Sequence, residues 1–267
     1  MCDNFNNIKV TVISINYNNC DGLRKTIESV VNQTCRDFEY IVIDGGSIDG
    51  SVDIIKENAD KIDYWVSEPD NGIYNAMNKG IDIAKGEYCI FLNSGDSFYD
   101  YQTLSLSLSF LDGTDVVAGY AKLDTGEIGS LPKSITLQSL YNHQQPCHQS
   151  SFIKTKLLKK YHYDETYKLV SDWKFFIQIF IYDNCKYKPI DVVISVYDTL
   201  GISSTNRTLI DEEHVKVLRD DFPQRIYDYY LYNTKSHGDR LYNMIRRSNF
   251  FLIYDTAAML LLKILGR

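Results

Sequence analysis

Short apolar runs alternate with helix-period segments through the first part of the chain. β-Branched and aromatic runs predict strands over residues 8–15, 38–44, 62–66 and 88–92. Between them, apolar residues three and four positions apart predict helices over 23–31, around 54–55 and over 73–84. Strands and helices in strict alternation are typical of an α/β fold with a parallel sheet and right-handed crossovers.

The pattern becomes less regular after residue 96. A helix is expected over 104–110, although the alternation of Leu and Ser there suits a strand equally well. Further strands are expected over 116–121, 127–129 and 185–196, and a buried helix over 173–182. We therefore expect one α/β domain over residues 1–206, with halves 8–96 and 97–206, and a helical extension over 207–267.

Acidic residues stand where the predicted strands end. Asp44 follows an apolar run directly, Asp96 follows Leu92 and Asn93 closely, and Asp70 lies in the turn after the third strand. The carboxyl ends of parallel strands meet at one edge of an α/β sheet, where ligands bind. Several carboxylates without a basic loop suit a nucleotide that is carried by a divalent cation.

These residues also belong to motifs that resemble family 2 glycosyltransferases with the GT-A fold, and within them the colanic-acid branch. The motifs are residues 10–18, 26–33, the Glu-Pro-Asp-Asn-Gly-Ile-Tyr-Asn-Ala-Met-Asn-Lys-Gly run at 68–80, 91–96, 148–149, 171–172 and 201–206. The resemblance covers most of residues 8–206. It implies a Rossmann-like, mostly parallel sheet with flanking helices. It also implies transfer of a sugar, with inversion, from a nucleotide-sugar such as a UDP-sugar to a hydroxyl group.

We assign to Asp96 the binding of a divalent cation, Mg2+ or Mn2+, as the cofactor. This cation would neutralise the charge of the diphosphate leaving group. Family members usually carry an Asp-x-Asp-like cluster at this place, whereas this chain has Asn93-Ser-Gly-Asp96. Phosphate oxygens and waters would then complete the coordination, and Asn93 is expected to bind the ribose. The alternative is that Asp96 caps the following helix.

Donor binding is assigned mainly to the loops after the first three strands. Asp44 is expected to read the nucleoside beside the flexible Gly45 and Gly46, or else only to fix that turn. The other donor contacts are expected from Asn16, Tyr17, Asn18, Asp70, Gly72, Asn75 and Asn78. The run Asp70-Asn-Gly72 is also an ordinary sequence for a turn that caps a helix.

The acceptor side is assigned to the second half of the domain. The resemblance implies that Asp172, at the start of an apolar helix, is the base that takes the acceptor proton; the alternative is a helix cap. His148 and Gln149 are expected to contact the acceptor or the donor phosphate. The alternative for His148, which explains it equally well, is a histidine in the core whose hydrogen bonds are all made within the protein.

The composition limits the classes of binding partner and the cellular compartment that we expect. A net charge of −7 argues against nucleic-acid binding. The six cysteines include no Cys-x-x-Cys pair, which argues against a zinc site, and the N-terminus has no signal-peptide pattern. We therefore expect a cytoplasmic protein with free thiols.

The C-terminal tail differs in charge from the rest of the chain. Residues 235–267 hold six basic and two acidic residues, a net charge of +4, which leaves −11 for the remainder. Residues 246–265 predict an interfacial helix at the inner face of the cell membrane, where a polyprenyl-linked glycan would be the acceptor. A helix that packs on the catalytic body or on a second copy, in a homodimer, explains the tail equally well.

Two other functions remain open at this point. A nucleotidyltransferase that makes nucleotide-sugars would need a glycine-rich, basic loop after the first strand, and residues 16–21 form neither. A non-catalytic nucleotide- or sugar-binding module would be free to lose Asp96 and Asp172, both of which this chain keeps.

Overall fold

The computed structural model describes residues 8–199, 201 and 206–228. The chain divides into two compact units, Met1–Glu213 and His214–Arg267. The predicted interfacial helix over residues 246–265 and most of the motif over 201–206 lie outside the described residues. No helix of the described part is long and apolar enough to cross a bilayer.

The part of the chain before residue 96 follows the predicted alternation. Its elements are β1 (Val10–Asn16), α1 (Cys20–Val31), β2 (Glu39–Asp44), α2 (Ser51–Glu57), β3 (Tyr64–Ser67), α3 (Ile73–Ile83) and β4 (Tyr88–Phe91). Every residue of β1, β2 and β4 is buried, which explains why these strands are continuous apolar runs. A helical turn at Ala59–Lys61 leads into β3.

The second half is built from shorter elements. They are β5 (Ser97–Phe98), α4 (Thr103–Leu108), β6 (Val116–Leu123), α5 (Leu137–Tyr141), β7 (Ser151–Lys154), α6 (Thr155–Tyr161), α7 (Ser171–Ile177), β8 (Tyr187–Tyr197) and α8 (Arg207–Asp221). The segment with alternating Leu and Ser is helical: Leu104 and Ser107, one turn apart, are buried, whereas Leu106 is exposed. The apolar segment predicted as one helix changes after Ile177 into a π-helical turn over Gln178–Tyr182.

Eight strands form one sheet in the order β3-β2-β1-β4-β7-β6-β8-β5. Within the described part of the chain, six of these strands run in one direction, and β7 and β5 run against them. The carboxyl ends of the six strands therefore share an edge with the starts of β7 and β5. This topology brings the residues that follow β1, β2, β3, β4 and β8 to the same edge as those that precede β7 and β5.

Close packing beneath this edge depends on one glycine of α3. A Cβ atom on Gly80 would lie 2.6 Å from Cγ2 of Ile13 in β1, so only glycine lets the helix approach the strand this closely. On α1, Leu23, Ile27 and Val30 are fully buried in the core. These contacts fix α1 and α3 beside the strands whose ends carry the candidate site.

Candidate active site

The Asp44 carboxylate is buried and saturated with hydrogen bonds. Its Oδ1 accepts from Asn16 Nδ2 at 2.7 Å and from Ser47 Oγ at 2.6 Å, and its Oδ2 accepts from Ser47 N at 2.9 Å and from Ser67 Oγ at 2.6 Å. A carboxylate offers about four such positions, and in this structure groups of the protein itself occupy all of them. This geometry supports the alternative in which Asp44 fixes the Gly45–Gly46 turn, and the expected contact of Asp44 with the nucleoside stays a prediction.

Electrostatics at Asp44 agree with a structural role. Burial by itself would raise the pKa of Asp44, but the hydrogen bonds from Ser47, Ser67 and Asn16 outweigh it and hold the pKa below its ordinary value. Asn16 is likewise buried and directs its amide nitrogen at Asp44 and Ser47. The two residues stand opposite each other in the β1–β2 register. Asn16 thus holds Asp44 through Nδ2, and its expected contact with the donor stays a prediction.

The accessible part of the predicted donor site lies around Gly45. A Cβ atom on Gly45 would fall 2.5 Å from Oδ2 of Asp70 and 3.2 Å from Cδ2 of Tyr17, so the Asp70 carboxylate and the Tyr17 ring both lie against this glycine. Tyr17 is 66% exposed although it follows a fully buried strand. Asn18 joins the neighbouring loops, because its Oδ1 accepts from Ile48 N and its own N donates to Ser47 Oγ. The exposed Tyr17 ring and the Asp70 carboxylate thus meet against the backbone of the buried Gly45.

The Asp70–Asn78 segment divides between two tasks. Gly72 has φ +117° and donates its N–H to Asp70 Oδ1 at 2.8 Å, so it closes the turn that precedes α3. Asn78 is buried, and its side chain both donates to the carbonyl of Tyr163 and accepts from the Tyr163 N–H. Its Nδ2 also contacts Glu165, as does Nδ2 of Asn75. Asn78 therefore ties α3 to the segment before α7, and its expected contact with the donor stays a prediction.

The Asp96 carboxylate is also buried, but in a different setting. Its Oδ1 accepts from the backbone N–H of Asp198 at 3.0 Å, and the Gln149 side chain donates to the same carboxylate. Burial raises the pKa of Asp96 to about 6; the Asp198 N–H, the charge of His148 and the Gln149 bond oppose this rise, and the Asp198 charge adds to it. Asp96 is followed by β5 rather than by a helix, so it does not cap one.

Asp198 lies beside Asp96 and was not among the residues predicted from the sequence. It follows β8 directly, and its Oδ2 would lie 2.3 Å from a Cβ atom on Gly95, which places the carboxylate against the loop that carries Asp96. Its signal was the one used for Asp44, an acid immediately after an apolar strand. Beneath the same loop, the buried hydroxyl of Thr26 contacts the Asp96 carbonyl at 2.6 Å.

Asp96 and Asp198 can hold a divalent cation only when a bound diphosphate supplies further oxygen ligands. No three His, Cys, Asp or Glu side chains gather into a metal cluster within the described part of the chain. However, Asp96 is a buried carboxylate whose negative charge is disfavoured by burial and by Asp198. Oxygen ligands of this kind suit Mg2+ or Mn2+, which commonly retain waters and bind substrate phosphates. The residues present therefore fit a cation whose coordination is completed by a diphosphate.

Asp172 and His148 form a hydrogen-bonded pair. His148 Nδ1 lies 3.1 Å from Asp172 Oδ2, and Tyr74 donates its hydroxyl to Asp172 Oδ1 at 3.0 Å. Burial alone would raise the pKa of Asp172, but the hydrogen bond and charge of His148 and the bond from Tyr74 hold it below its ordinary value. The His148 and Asp172 side chains keep 17% and 19% of their surface exposed. Tyr74 was not predicted, although it belongs to the family-specific run.

Three predicted residues carry a buried oxygen or nitrogen without a partner among the described residues. They are Asn16, through Oδ1, Asn93, through Oδ1, and His148, through Nε2. Gln149 is engaged on both sides, since Cys147 Sγ donates to its Oε1 at 2.8 Å and its side chain also bonds Asp96. Buried polar atoms are rarely left unpaired in proteins, so the unpaired atoms of Asn16, Asn93 and His148 mark places where a ligand would find hydrogen-bonding capacity.

Comparison with known proteins decides the family. The family model described as "Glycosyl transferase family 2" matches residues 11–176, a span that holds Asp44, Asp96, His148 and Asp172. The chain belongs to glycosyl transferase family 2. The PGL/p-HBAD biosynthesis glycosyltransferase of Mycobacterium tuberculosis H37Ra is 30% identical over 199 residues, 72% of this chain and 77% of that relative. The protein is therefore a transferase of glycosyl groups, and the resemblance to the colanic-acid branch stays a prediction.

Solved structures agree on the fold. S. aureus TarS 1–349 in complex with UDP-GlcNAc matches with a TM-score of 0.66 and 21% identity, over 84% of this chain and 71% of that one. The mannosyltransferase PcManGT from Pyrobaculum calidifontis, in complex with GDP-Man and Mn2+, matches with a TM-score of 0.62 and 17% identity, over 95% and 80%. A longer TarS chain is matched over 42% of its length. The predicted GT-A, Rossmann-like fold of this family 2 enzyme is confirmed.

Proposed function

We propose that this glycosyltransferase moves a sugar from a nucleoside diphosphate sugar, in the first instance a UDP-sugar, to a hydroxyl of a cell-surface glycan or polyprenyl-linked oligosaccharide, with inversion. Family membership supports glycosyl transfer, and the arrangement of the site supports the finer assignment. Solved structures that share the fold bind UDP-GlcNAc in one case and GDP-Man with Mn2+ in another.

The observation that carries the proposal is the environment of Asp96. A carboxylate that is 3% exposed, lies beside Asp198 and has its pKa raised to about 6 is poorly compensated by the protein alone. A divalent cation, Mg2+ or Mn2+, held by Asp96 with Asp198 beside it would supply positive charge that stabilises the diphosphate leaving group. A sugar nucleotide brings the phosphate oxygens that such a cation needs.

The nucleoside end of the donor is assigned to the surface around Gly45. The exposed Tyr17 ring offers a face on which a base can stack, and Asp70 Oδ2 lies beside Gly45, where it can accept from a base N–H or a ribose hydroxyl. Asp70 thus takes over the role expected of Asp44. Asn93 Oδ1 supplies a further acceptor for the ribose.

Acceptor activation is assigned to the Asp172–His148 pair. One basic pair, with no second nucleophile assigned to the reaction, matches a single displacement at the anomeric carbon and therefore inversion. The acceptor hydroxyl loses its proton to this pair as the sugar–phosphate bond breaks.

The experiment measures thermal stabilisation by UDP, UDP-GlcNAc, GDP and GDP-mannose, each with and without Mn2+, followed by nucleotide release from the two sugars. Binding at 100 times Kd raises the free energy of unfolding by about 2.7 kcal/mol. We expect the uridine compounds to stabilise the protein only with Mn2+. Asp96→Asn should lose this effect and the turnover, whereas Asp53→Asn, with a side chain 79% exposed on α2, should keep both. Equal stabilisation of parent and Asp96→Asn would refute the cation assignment.

A further inference from the structure

The protons of the Tyr74–Asp172–His148 chain can be placed from the structure. Asp172 is ionised at neutral pH, because its pKa lies below the ordinary value, and an ionised carboxylate only accepts hydrogen bonds. Tyr74 remains protonated, since burial and the nearby Asp172 charge raise its pKa well above the ordinary value. Tyr74 therefore donates to Oδ1, and His148 must donate through Nδ1–H to Oδ2. In the neutral ring, Nε2 then carries a lone pair and no hydrogen.

That lone pair has no partner among the described residues. Nε2 of His148 is covered from solvent and makes no hydrogen bond. The His148 side chain as a whole nevertheless keeps 17% of its surface exposed. A buried nitrogen without a partner is uncommon, and it is compensated when a ligand hydroxyl supplies the missing donor.

Asp172 is less suited to take a proton itself. Both of its oxygens already accept a hydrogen bond, from Tyr74 and from His148, and these bonds stabilise the charged form. A general base works best when its pKa lies near the operating pH, which an imidazole satisfies and a stabilised carboxylate does not. The arrangement is that of a base oriented by a second group behind it.

We propose that Nε2 of His148 accepts the proton of the acceptor hydroxyl, and that Asp172 is a positioning residue which holds the ring and stabilises the imidazolium. This inference rests on the proposed function. In the step, the acceptor O–H bond breaks and its proton moves to Nε2. The oxygen forms the new bond to the anomeric carbon, and the electron pair of the sugar–phosphate bond leaves with the nucleoside diphosphate. The imidazolium afterwards returns its proton to water.

The charged surroundings of His148 favour the imidazolium that this step creates. Asp172 faces it from α7, and Asp96 lies within electrostatic reach on the loop before β5. The neighbouring Cys147 thiol stays protonated, since burial raises its pKa to about 12. Tyr74 stands behind Asp172 as a neutral donor. Among the described contacts, the charged side chains that interact with the His148 ring are therefore two carboxylates, and none is basic.

The test compares His148→Asn with His162→Asn. Asparagine can replace Nδ1–H as a donor to Asp172 but offers no basic nitrogen. His162 is the matched control, because it forms a second pair with Asp82 at 2.8 Å on the surface. Its backbone has φ +47°, a conformation that asparagine tolerates. With a UDP-sugar and Mn2+, we expect His148→Asn to lower kcat by roughly 100-fold or more while the Kd for UDP stays unchanged. His162→Asn should match the parent.

A second variant separates positioning from proton acceptance. In Asp172→Asn, we expect the acidic limb of the kcat/KM profile to persist and to move to lower pH, because the imidazolium loses its carboxylate partner. A base at Asp172 itself would instead make this limb disappear in Asp172→Asn and leave His148→Asn within a few-fold of the parent. Should His148→Asn fail to fold, His148→Gln takes its place with the same expected result.

The outcomes also separate this inference from the proposed function. A parent protein that neither binds UDP nor releases it from any UDP-sugar refutes the proposed function. A parent that turns over, with His148→Asn equally active, refutes the role of His148 alone. A loss of UDP affinity in His148→Asn that equals the loss in kcat would make His148 a phosphate contact and likewise overturn the inference.

Discussion

Replacing Asp96 with Asn should make the metal-free protein more stable at alkaline pH. The substitution keeps an oxygen that can accept the Asp198 N–H and removes a charge that burial disfavours. The pKa of Asp96 is raised from 3.8 to about 6, and each pKa unit corresponds to about 1.36 kcal/mol. The rise in pKa multiplied by the energy per pKa unit gives about 3 kcal/mol, which is the largest increase in the free energy of unfolding that we expect for Asp96→Asn.

The sign of the pH dependence follows from the direction of the shift. A carboxyl with a raised pKa binds its proton more tightly in the folded protein than in the unfolded chain. Its contribution to stability is therefore fully present below pH 3.8 and is lost as the pH rises through about 6. The advantage of Asp96→Asn over the parent should be largest at pH 8 and should narrow as the pH falls from 6 to 3.8.

The assay is urea unfolding followed by tryptophan fluorescence, in EDTA, at pH 8 and pH 5. Asp44→Asn is the matched control of opposite sign, because its carboxylate is equally buried but its pKa is lowered by four hydrogen bonds. That variant should lose stability at pH 8, and its deficit should shrink as the pH falls through the Asp44 pKa. An Asp96→Asn protein no more stable than the parent at pH 8 would refute the reasoning, as would equal signs for the two variants.

Three other predictions concern the donor site, the fold and the tail. Gly45→Ala should weaken UDP binding measured by calorimetry with little change in Tm, because the added Cβ displaces the flexible Asp70 side chain. Asn78→Ala should lower the free energy of unfolding by about 1–3 kcal/mol and leave the Kd for UDP unchanged, which urea unfolding and calorimetry check. If residues 246–265 form an interfacial helix, the protein should bind anionic vesicles less tightly as salt rises, and Leu261→Asp should release it. Loss of folding or of a dimer in Leu261→Asp would contradict the membrane assignment.

The sequence predicted well those features that depend on local pattern. Apolar runs located the parallel strands β1 to β4, and Asp96 lies, as predicted, at the edge where the carboxyl ends of these strands meet. The rule that ligands gather beyond strand ends, applied to the end of β8, would have found Asp198. Strands of two to four residues such as β5 and β7 carry too little periodicity to be assigned from pattern alone.

The roles of individual side chains depended on partners that lie far away in the sequence. Asp44 and Asp96 look alike in the sequence. Ser67 and Asn16, however, donate hydrogen bonds to the Asp44 carboxylate, whereas the negative charge of Asp198 raises the pKa of Asp96. Similarly, nothing local indicates that His148 contacts Asp172, because the two residues are 24 positions apart and meet only through the fold. Sequence position therefore identified the candidates, and the hydrogen-bond partners of each side chain became known only from the packing.

The bonds from α3 to the segment that begins α7 have a consequence for recombining this enzyme with its relatives. Tyr74 and Asn78 belong to the half before residue 96, yet they hold Asp172 and Tyr163 of the half after it. A chimera joined at residue 96 would exchange one member of each pair without the other. Exchange of acceptor preference between family members should therefore succeed only when α3 and the Tyr163–Asp172 segment are taken from the same parent. These two segments are separated in the sequence, so both must be transferred.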